Sequence, residues 1–397
     1  MNRQNTRNAA LALVGLLALS IYILACTSFS PDDTKILYPA FDAASGAIGT
    51  AVYDRETKGT EMLFLPLTYQ SKSNNTVLVP SLLRAEWLPN GREIVVAHCA
   101  DEKSSDDHGV IDVALIPRGA RQPLRIFRVP DVEEAGLAFL MPLCIVGDQV
   151  FLRVSGQEIA RLDLRSGALA THQIEETNNE VMLYPAPDGR NVFCLESANK
   201  AGTNSIWSRL NPADFNRTPL MRFTNEVPLE SVLAYDQSGR TLALLSQGPK
   251  TNNLVVLRDG QQRFARSLDA RGQDFYFGNA ILNPDGNALW ATFSRRKGTN
   301  TVSYGLMEIP FTDAPPHELT LISDATSHHD SDSVLYFQAG ISHDGKTVAI
   351  PSTYLACADK EFKAADCALF LVDVNNPKWP VTKVPIPMPA KRPYLSH

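Results

Sequence analysis

The chain has 397 residues, with 37 Lys plus Arg against 43 Asp plus Glu and a net charge of −6. Hydrophobic residues make up 44% and charged ones 20%, the balance of a folded globular protein, and the acidic excess excludes a role built on counterion release from nucleic acid. The same excess repels anionic lipid headgroups, so any membrane attachment must come from another device.

That device stands at the N-terminus. Arg3 and Arg7 precede an almost wholly apolar run, Ala9 to Ala25, which stops at Cys26 before polar Thr27 and Ser28. This is the build of a secretory signal. Its last four residues, Ile23-Leu24-Ala25-Cys26, resemble the bacterial lipobox. The resemblance implies that residues 1–25 are removed and that Cys26 is diacylated as the new N-terminus, the membrane then being held through N-terminal acyl chains only. Thr27 stands where the enterobacterial pattern places the aspartate that retains lipoproteins at the inner membrane, so the resemblance favours the periplasmic side of the outer membrane. An uncleaved anchor is the competing reading, because the apolar run is close to the roughly 17 residues that span a bilayer. Residues 26–35, with Ser30, Pro31, Asp32 and Asp33, are expected to form a short tether.

Downstream, one turn recurs: Trp87-Leu88-Pro89-Asn90-Gly91, Tyr184-Pro185-Ala186-Pro187-Asp188-Gly189, Tyr235-Asp236-Gln237-Ser238-Gly239, Leu282-Asn283-Pro284-Asp285-Gly286 and Ile341-Ser342-His343-Asp344-Gly345. Apolar residues follow each glycine at plus three and plus five, as in Ile94/Val96, Val192/Cys194, Leu242/Leu244, Leu289/Ala291 and Val348/Ile350. A period of two entered through a tight turn predicts a repeated β-hairpin. Gly147, with Val150 and Leu152, is a degenerate sixth copy. A weaker seventh runs from Asp42 to Gly46 and leads into Thr50 to Tyr53. A further apolar strand follows each turn: Met62 to Leu65, Ile111 to Ile116, Ile159 to Leu162, Ile206 to Leu210, Leu254 to Leu257, Leu306 to Ile309 and Leu369 to Val372. A spacing of roughly 50 residues suits a four-stranded unit that buries its faces only by packing against copies of itself.

The turns at 89–91, 187–189 and 284–286 resemble the propeller repeats of the TolB and WD-repeat-like type, in which a Pro-Asp-Gly turn joins the first two strands of each blade. The resemblance covers the chain from about residue 35 onward and implies an all-β propeller of seven four-stranded blades over residues 36–397. It implies no activity. A pair of β-sandwiches is the competing fold, though sandwiches require no turn at this spacing. Val381 to Pro387 is expected to complete the last blade. If Ile36 to Phe41 pairs beside it, the count becomes six full blades and a composite seventh.

Cys357 and Cys367 bracket a polar loop and are expected to form a disulfide in an oxidising compartment. Cys194 reads as a buried small hydrophobe, and Cys99 and Cys144 are a candidate pair between blades. The long polar segments fall between second and third strands or between blades, which places them on one face of the ring. They include Asp106, Asp107 and His108, the basic spot Arg295-Arg296-Lys297, and His328, His329, Asp330 and Asp332. Long loops on one rim of a rigid scaffold are the expected site for a protein partner of the envelope. Neither His/Asp cluster has a coordination spacing, so no metal site and no cofactor is expected. Seven-bladed polysaccharide lyases of related repeat type carry a histidine-rich metal site in the central channel; His98 and His343 lie near blade-inner strands here, yet no set of three histidines with a glutamine aligns with theirs. The chain also lacks a Gly-x-Ser-x-Gly elbow, a P-loop and a dinucleotide fingerprint. The expected function is therefore a binding or assembly module without catalysis, with a metal-dependent polysaccharide lyase or hydrolase as the alternative.

Overall fold

In the computed structural model, residues 27–41, 48–64, 84–99, 108–133, 143–155, 157–174, 181–186, 189–197, 204–224, 232–247, 251–269, 275–297, 301–326, 339–352 and 368–386 are described. Their strands form seven antiparallel sheets of four strands each, and every sheet is built from strands consecutive in sequence. The blades span residues 28–64, 84–133, 144–173, 181–224, 232–269, 275–326 and 340–385, and are numbered 1 to 7 in that order. First strands touch between blades 1 and 2, 3 and 4, 5 and 6, and 7 and 1, and an apolar cluster joins each blade to the next, so the first strands line the inside of a closed ring. This is a seven-bladed β-propeller.

The recurring turn has one hydrogen-bond scheme. In blade 2 the Gly91 N–H donates to Leu88 O at 2.9 Å and the Leu88 N–H donates to Glu93 O at 2.9 Å, with Gly91 at φ 65°. The left-handed conformation is why glycine sits there. The same two bonds recur through Ala186, Asp236, Asn283 and Ser342. Blade 3 differs: its turn is a two-residue hairpin at Gly147 and Asp148, with Val146 opposite Gln149.

The plus-three and plus-five residues acquire a single meaning. Ile94 and Val96 pack against blade 1, Val150 and Leu152 against blade 2, and Val192 and Cys194 against blade 3. Leu242 and Leu244, Leu289 and Ala291, and Val348 and Ile350 each face the preceding blade in the same way. Side chains alternate across a strand, so the intervening residues, such as Val95 and Ala97, face the following blade. The core is accordingly divided among seven apolar clusters, one per blade interface.

Blade 1 departs from the sequence expectation in two ways. Residues 28–35 are not a tether: Ser28–Phe29 is the innermost strand of blade 1, paired with Lys35–Phe41 through Ser28↔Leu37 and Phe29↔Ile36. Phe29 and Ser30 are buried, Phe29 within the apolar cluster between blades 7 and 1. The Ser30–Lys35 segment repeats the turn scheme, with Asp33 at φ 56° in the glycine position and its N–H donating to Ser30 O at 2.7 Å. Three and five residues on, Ile36 and Tyr38 face blade 7. The stretch from Asp42 lies outside the described residues, and Thr50 to Tyr53 belongs to the third strand of blade 1, with Met62 in the fourth.

The second departure concerns closure. No blade is composite, since Lys35–Phe41 pairs within blade 1 and Val381–Pro385 pairs within blade 7. Blades 7 and 1 are joined by side chains instead. The Asp33 carboxylate accepts from the His343 N–H at 2.8 Å and from the Asp344 N–H at 3.0 Å, and meets His343 Nδ1 at 2.9 Å. Arg55 donates to Asp33 O at 2.9 Å and to Thr347 Oγ1 at 3.2 Å. Beneath these bonds, Phe29, Ile36, Tyr38 and Tyr53 pack on Ala349, Leu369 and Leu371. Replacing Asp33 by Ala removes charge-assisted bonds from two N–H groups and should lower stability by about 1.5–3 kcal/mol. Urea denaturation checks this: the midpoint should fall with the m-value unchanged, and an unchanged midpoint would count against a closing role.

Candidate functional site: the inner wall and the two rims

Four consecutive antiparallel strands put the first-to-second and third-to-fourth turns at one end of the ring and the remaining connections at the other. The long segments singled out in the sequence do share the second end, by topology. Asp106, Asp107, His328, His329, Asp330, Asp332, Cys357, Cys367 and Cys26 lie outside the described residues, as does the side chain of Arg296. His108 begins the third strand of blade 2, opposite Glu133. Arg295 lies on the second strand of blade 6, where it donates to both Glu318 carboxylate oxygens at 2.9 Å and stacks over the Phe293 ring at 5.5 Å. Its charge is thus engaged within its own blade. Among the described residues, no group of three or more His, Cys, Asp or Glu could hold a metal ion.

Several inner-strand residues keep partial exposure, most of them packed against the clusters between blades. In blades 3 to 7 they are mainly apolar or aromatic: Val146, Met182, Tyr184, Tyr235, Ile281 and Ile341, with Asn279 among them. Tyr184 and Tyr235 are fixed rather than free. Their rings meet edge to face at 5.8 Å, both lie against Trp207, and the Tyr235 hydroxyl donates to Pro185 O at 2.7 Å. Trp207 in turn donates to Gly239 O at 2.9 Å, and a Cβ on Gly239 would fall 2.5 Å from the Phe193 ring. Blade 2 brings the charged side chains, with Arg84 buried and Glu86 half-buried.

The two histidines considered for a channel site are placed elsewhere. His343 belongs to the closing turn at the opposite rim. His98 is buried in the second strand of blade 2, directly across from Asp112, which is directly across from Arg128. Arg128 holds Asp112 through two bonds at 3.0 and 3.2 Å. By strand alternation this row points toward blade 1. Neither the repeat pattern nor a motif marks the row; its only sequence signal is the spacing that brings three polar residues into register.

The cysteines also sort themselves. Cys144 and Cys194 are buried in the blade 3–4 interface and neither is in a disulfide, so the candidate Cys99–Cys144 pair is not formed. The cause is placement: Cys144 turns into a cluster with Cys194, Phe151 and Val181. Cys194 is buried as its strand position foretold. Burial, with the charge of Glu196 added, pushes the Cys194 thiol up to about 12. Burial, with Cys194 nearby, likewise raises Cys144 well above the ordinary value. A maleimide at about pH 8 should leave both cysteine peptides unmodified in the native protein and label them in guanidinium, as read by mass spectrometry. Labelling of the native protein at the unfolded rate would contradict the burial.

The turn end of the ring carries an ion-pair network. Glu93 accepts from Arg165 at 2.9 and 2.6 Å and from Asn90 at 3.1 Å, and Arg165 also reaches Asp148 at 2.9 Å. The Arg165 guanidinium holds the Glu93 carboxyl below its usual range against the opposing effect of burial. The carboxyl of Asp344 is lowered by the Ser342 hydroxyl and that of Asp163 by Ser166. A carboxylate depressed in the folded state stabilises above its unfolded value, and that contribution is lost as pH falls toward the folded value. Stability should therefore be level near neutrality and fall below about pH 4, less steeply in Glu93→Gln. Urea midpoints measured against pH check this; identical slopes for the two proteins would refute the assignment.

No family model matches the chain, and no curated protein matches it. Solved structures do. The complex of KlAtg21 with the coiled coil of AgAtg16 has a chain 13% identical, with a TM-score of 0.51, covering 91% of this chain and 97% of that one. A putative 6-phosphogluconolactonase from Bacteroides fragilis is 14% identical, with a TM-score of 0.49, and covers 90% of this chain and 96% of that one. The oligogalacturonate lyase from Vibrio parahaemolyticus is 10% identical, with a TM-score of 0.42 and coverages of 66% and 72%. At these identities the likenesses speak for the fold alone.

Proposed function

We propose that the chain is an exported β-propeller of the TolB type, lipid-anchored through Cys26 at the periplasmic side of the outer membrane, acting as a protein-binding or assembly module without catalysis. The observation that carries the binding role is the inner wall. Among the described residues of blades 3 to 7 its half-buried side chains include Val146, Met182, Tyr184, Tyr235, Asn279, Ile281 and Ile341, and the tyrosines are locked by ring packing and a backbone acceptor. A rigid apolar and aromatic surface suits recognition, whereas acid–base chemistry needs titratable groups converging on one point. The export and anchor rest on the sequence of residues 1–27. The partner is an envelope protein or complex, for which loop length favours the rim where the long connections emerge.

A second reading, a metal-dependent lyase or hydrolase, draws on one observation. His98 lies across from Asp112, and Asp112 is held by Arg128, which puts an imidazole, a carboxylate and a guanidinium in one row, residue types used in proton transfer. Its burial between blades argues against access to a polysaccharide.

Affinity purification of the mature protein from crosslinked native envelope, beside Cys26→Ala, separates the two. Recovery of a stoichiometric protein partner that depends on the anchor is the expected result. Isolation of the protein alone, together with turnover of an acidic oligosaccharide in the presence of a divalent metal, would replace the first reading by the second.

A further inference from the structure

Two thiols meet in the core of a chain proposed above to be exported. Cys144 lies on the inner strand of blade 3, directly across from Phe151, and Cys194 lies on the second strand of blade 4, directly across from Leu183. All four side chains enter the one apolar cluster between these blades, from opposite sheets. The two cysteines also stand at nearly the same height above their turns. Cys144 is level with Phe151, the fourth residue after Gly147, and Cys194 is the fifth after Gly189. The strands that carry them, Cys144–Val146 and Val192–Ser197, come within 8 Å of each other between Cα atoms. A disulfide joins Cα atoms roughly 4.4–6.8 Å apart, the range that two side chains facing each other across such a gap can bridge.

Burial decides when that bond can form. The nucleophile in thiol–disulfide exchange is the thiolate, and in the packed interface burial raises both thiols, Cys194 to about 12. Both residues are fully enclosed, so an oxidant meets neither sulfur in the finished fold. The exchange therefore belongs to the stage before blades 3 and 4 pack. One cysteine thiolate attacks the disulfide of an oxidant, forming a mixed disulfide and expelling the other oxidant sulfur as a thiolate. The second cysteine thiolate then attacks the first at the mixed disulfide, which closes the bond and releases the oxidant as a dithiol. Two electrons pass to the oxidant and two protons leave the cysteines. Packing of the blades then covers the bond against reductants.

We infer that Cys144 and Cys194 are a modification site, closed on export by a disulfide-bearing thiol oxidant into a covalent link between blades 3 and 4. The inference rests on export of the chain. The dithiol described here is the form that precedes oxidation, and the maleimide labelling in guanidinium given above is that of the reduced protein. Linking strands about 50 residues apart restricts the unfolded chain, so the oxidised form should be the more stable.

The test uses the full chain recovered from the envelope, with thiols blocked by iodoacetamide in guanidinium at lysis. It is digested without reductant and read by mass spectrometry, together with the N-terminal mass. The expected result is one linked species carrying the Cys144 and Cys194 peptides, which yields two separate peptides only after phosphine reduction. The urea midpoint should fall on reduction by more than that of a Cys144→Ala/Cys194→Ala double variant. Reduced chain refolded in oxidised glutathione should form the same link, and reduced chain already folded should form it at least about tenfold more slowly. A processed N-terminus with both peptides separately alkylated, or paired to other cysteines, would overturn the site and leave export standing. An unprocessed N-terminus would remove export, and the refolding arm then decides the site alone: a link there supports it and its absence overturns it.

Discussion

The ring depends on the turn from Ser30 to Thr34. Its two aspartates point in opposite directions around the propeller. Asp33 caps the His343 and Asp344 N–H groups of blade 7, while Asp32 accepts from Arg118 of blade 2 at 2.8 Å. Arg118 also donates to Thr34 Oγ1 at 2.9 Å and stacks over the Trp87 ring at 5.7 Å. A propeller whose blades each use four consecutive strands has no shared sheet to close it, so the last interface must be held by packing and side-chain bonds. The apolar cluster between blades 7 and 1 supplies area without direction, and Asp33 supplies the register. Hydrogen bonds from Ser30, Arg118 and Thr34 also keep the Asp32 carboxyl well below its usual range, although burial opposes this.

The same logic explains what the sequence reveals and what it hides. The plus-three and plus-five positions are legible because every blade must present two apolar residues to the blade before it, and a turn with a left-handed residue sets their phase. Glycine marks that residue in six blades. In blade 1 the place is taken by Asp33, whose short polar side chain tolerates φ 56° and does further work across the closure. A search keyed to glycine passes over it and finds Asp42 to Gly46 instead. The true copy, Pro31-Asp32-Asp33 followed by Ile36 and Tyr38, has the same spacing. Its nearness to the signal hides it, because polar residues in that position read as a tether.

The candidate site was less legible, for a physical reason. Loop composition shows which rim is polar, yet a charged residue near a strand end is free to fold back on its own blade, as Arg295 does on Glu318. His343 shows the same limit, since proximity to an inner strand in sequence does not say which end of the ring a turn occupies. The aromatic group of Tyr184, Phe193, Trp207 and Tyr235 could have been anticipated only by pairing positions across two blades. What the fold contributes to function is rigidity: two rims of different character and a wall of fixed side chains, set around an axis whose closure is decided beside the N-terminal strand.

Native-state hydrogen exchange at His343 and Asp344 tests that closure most directly, with Asp285, the residue of blade 6 matching Asp344, as the reference. Protection of both amides, with Asp344 exchanging much more slowly than Asp285 and both losing protection in Asp33→Gly, is the result predicted by a ring locked through the first turn. Exchange of His343 and Asp344 at the rate of an open surface turn, unchanged by the substitution, would contradict it.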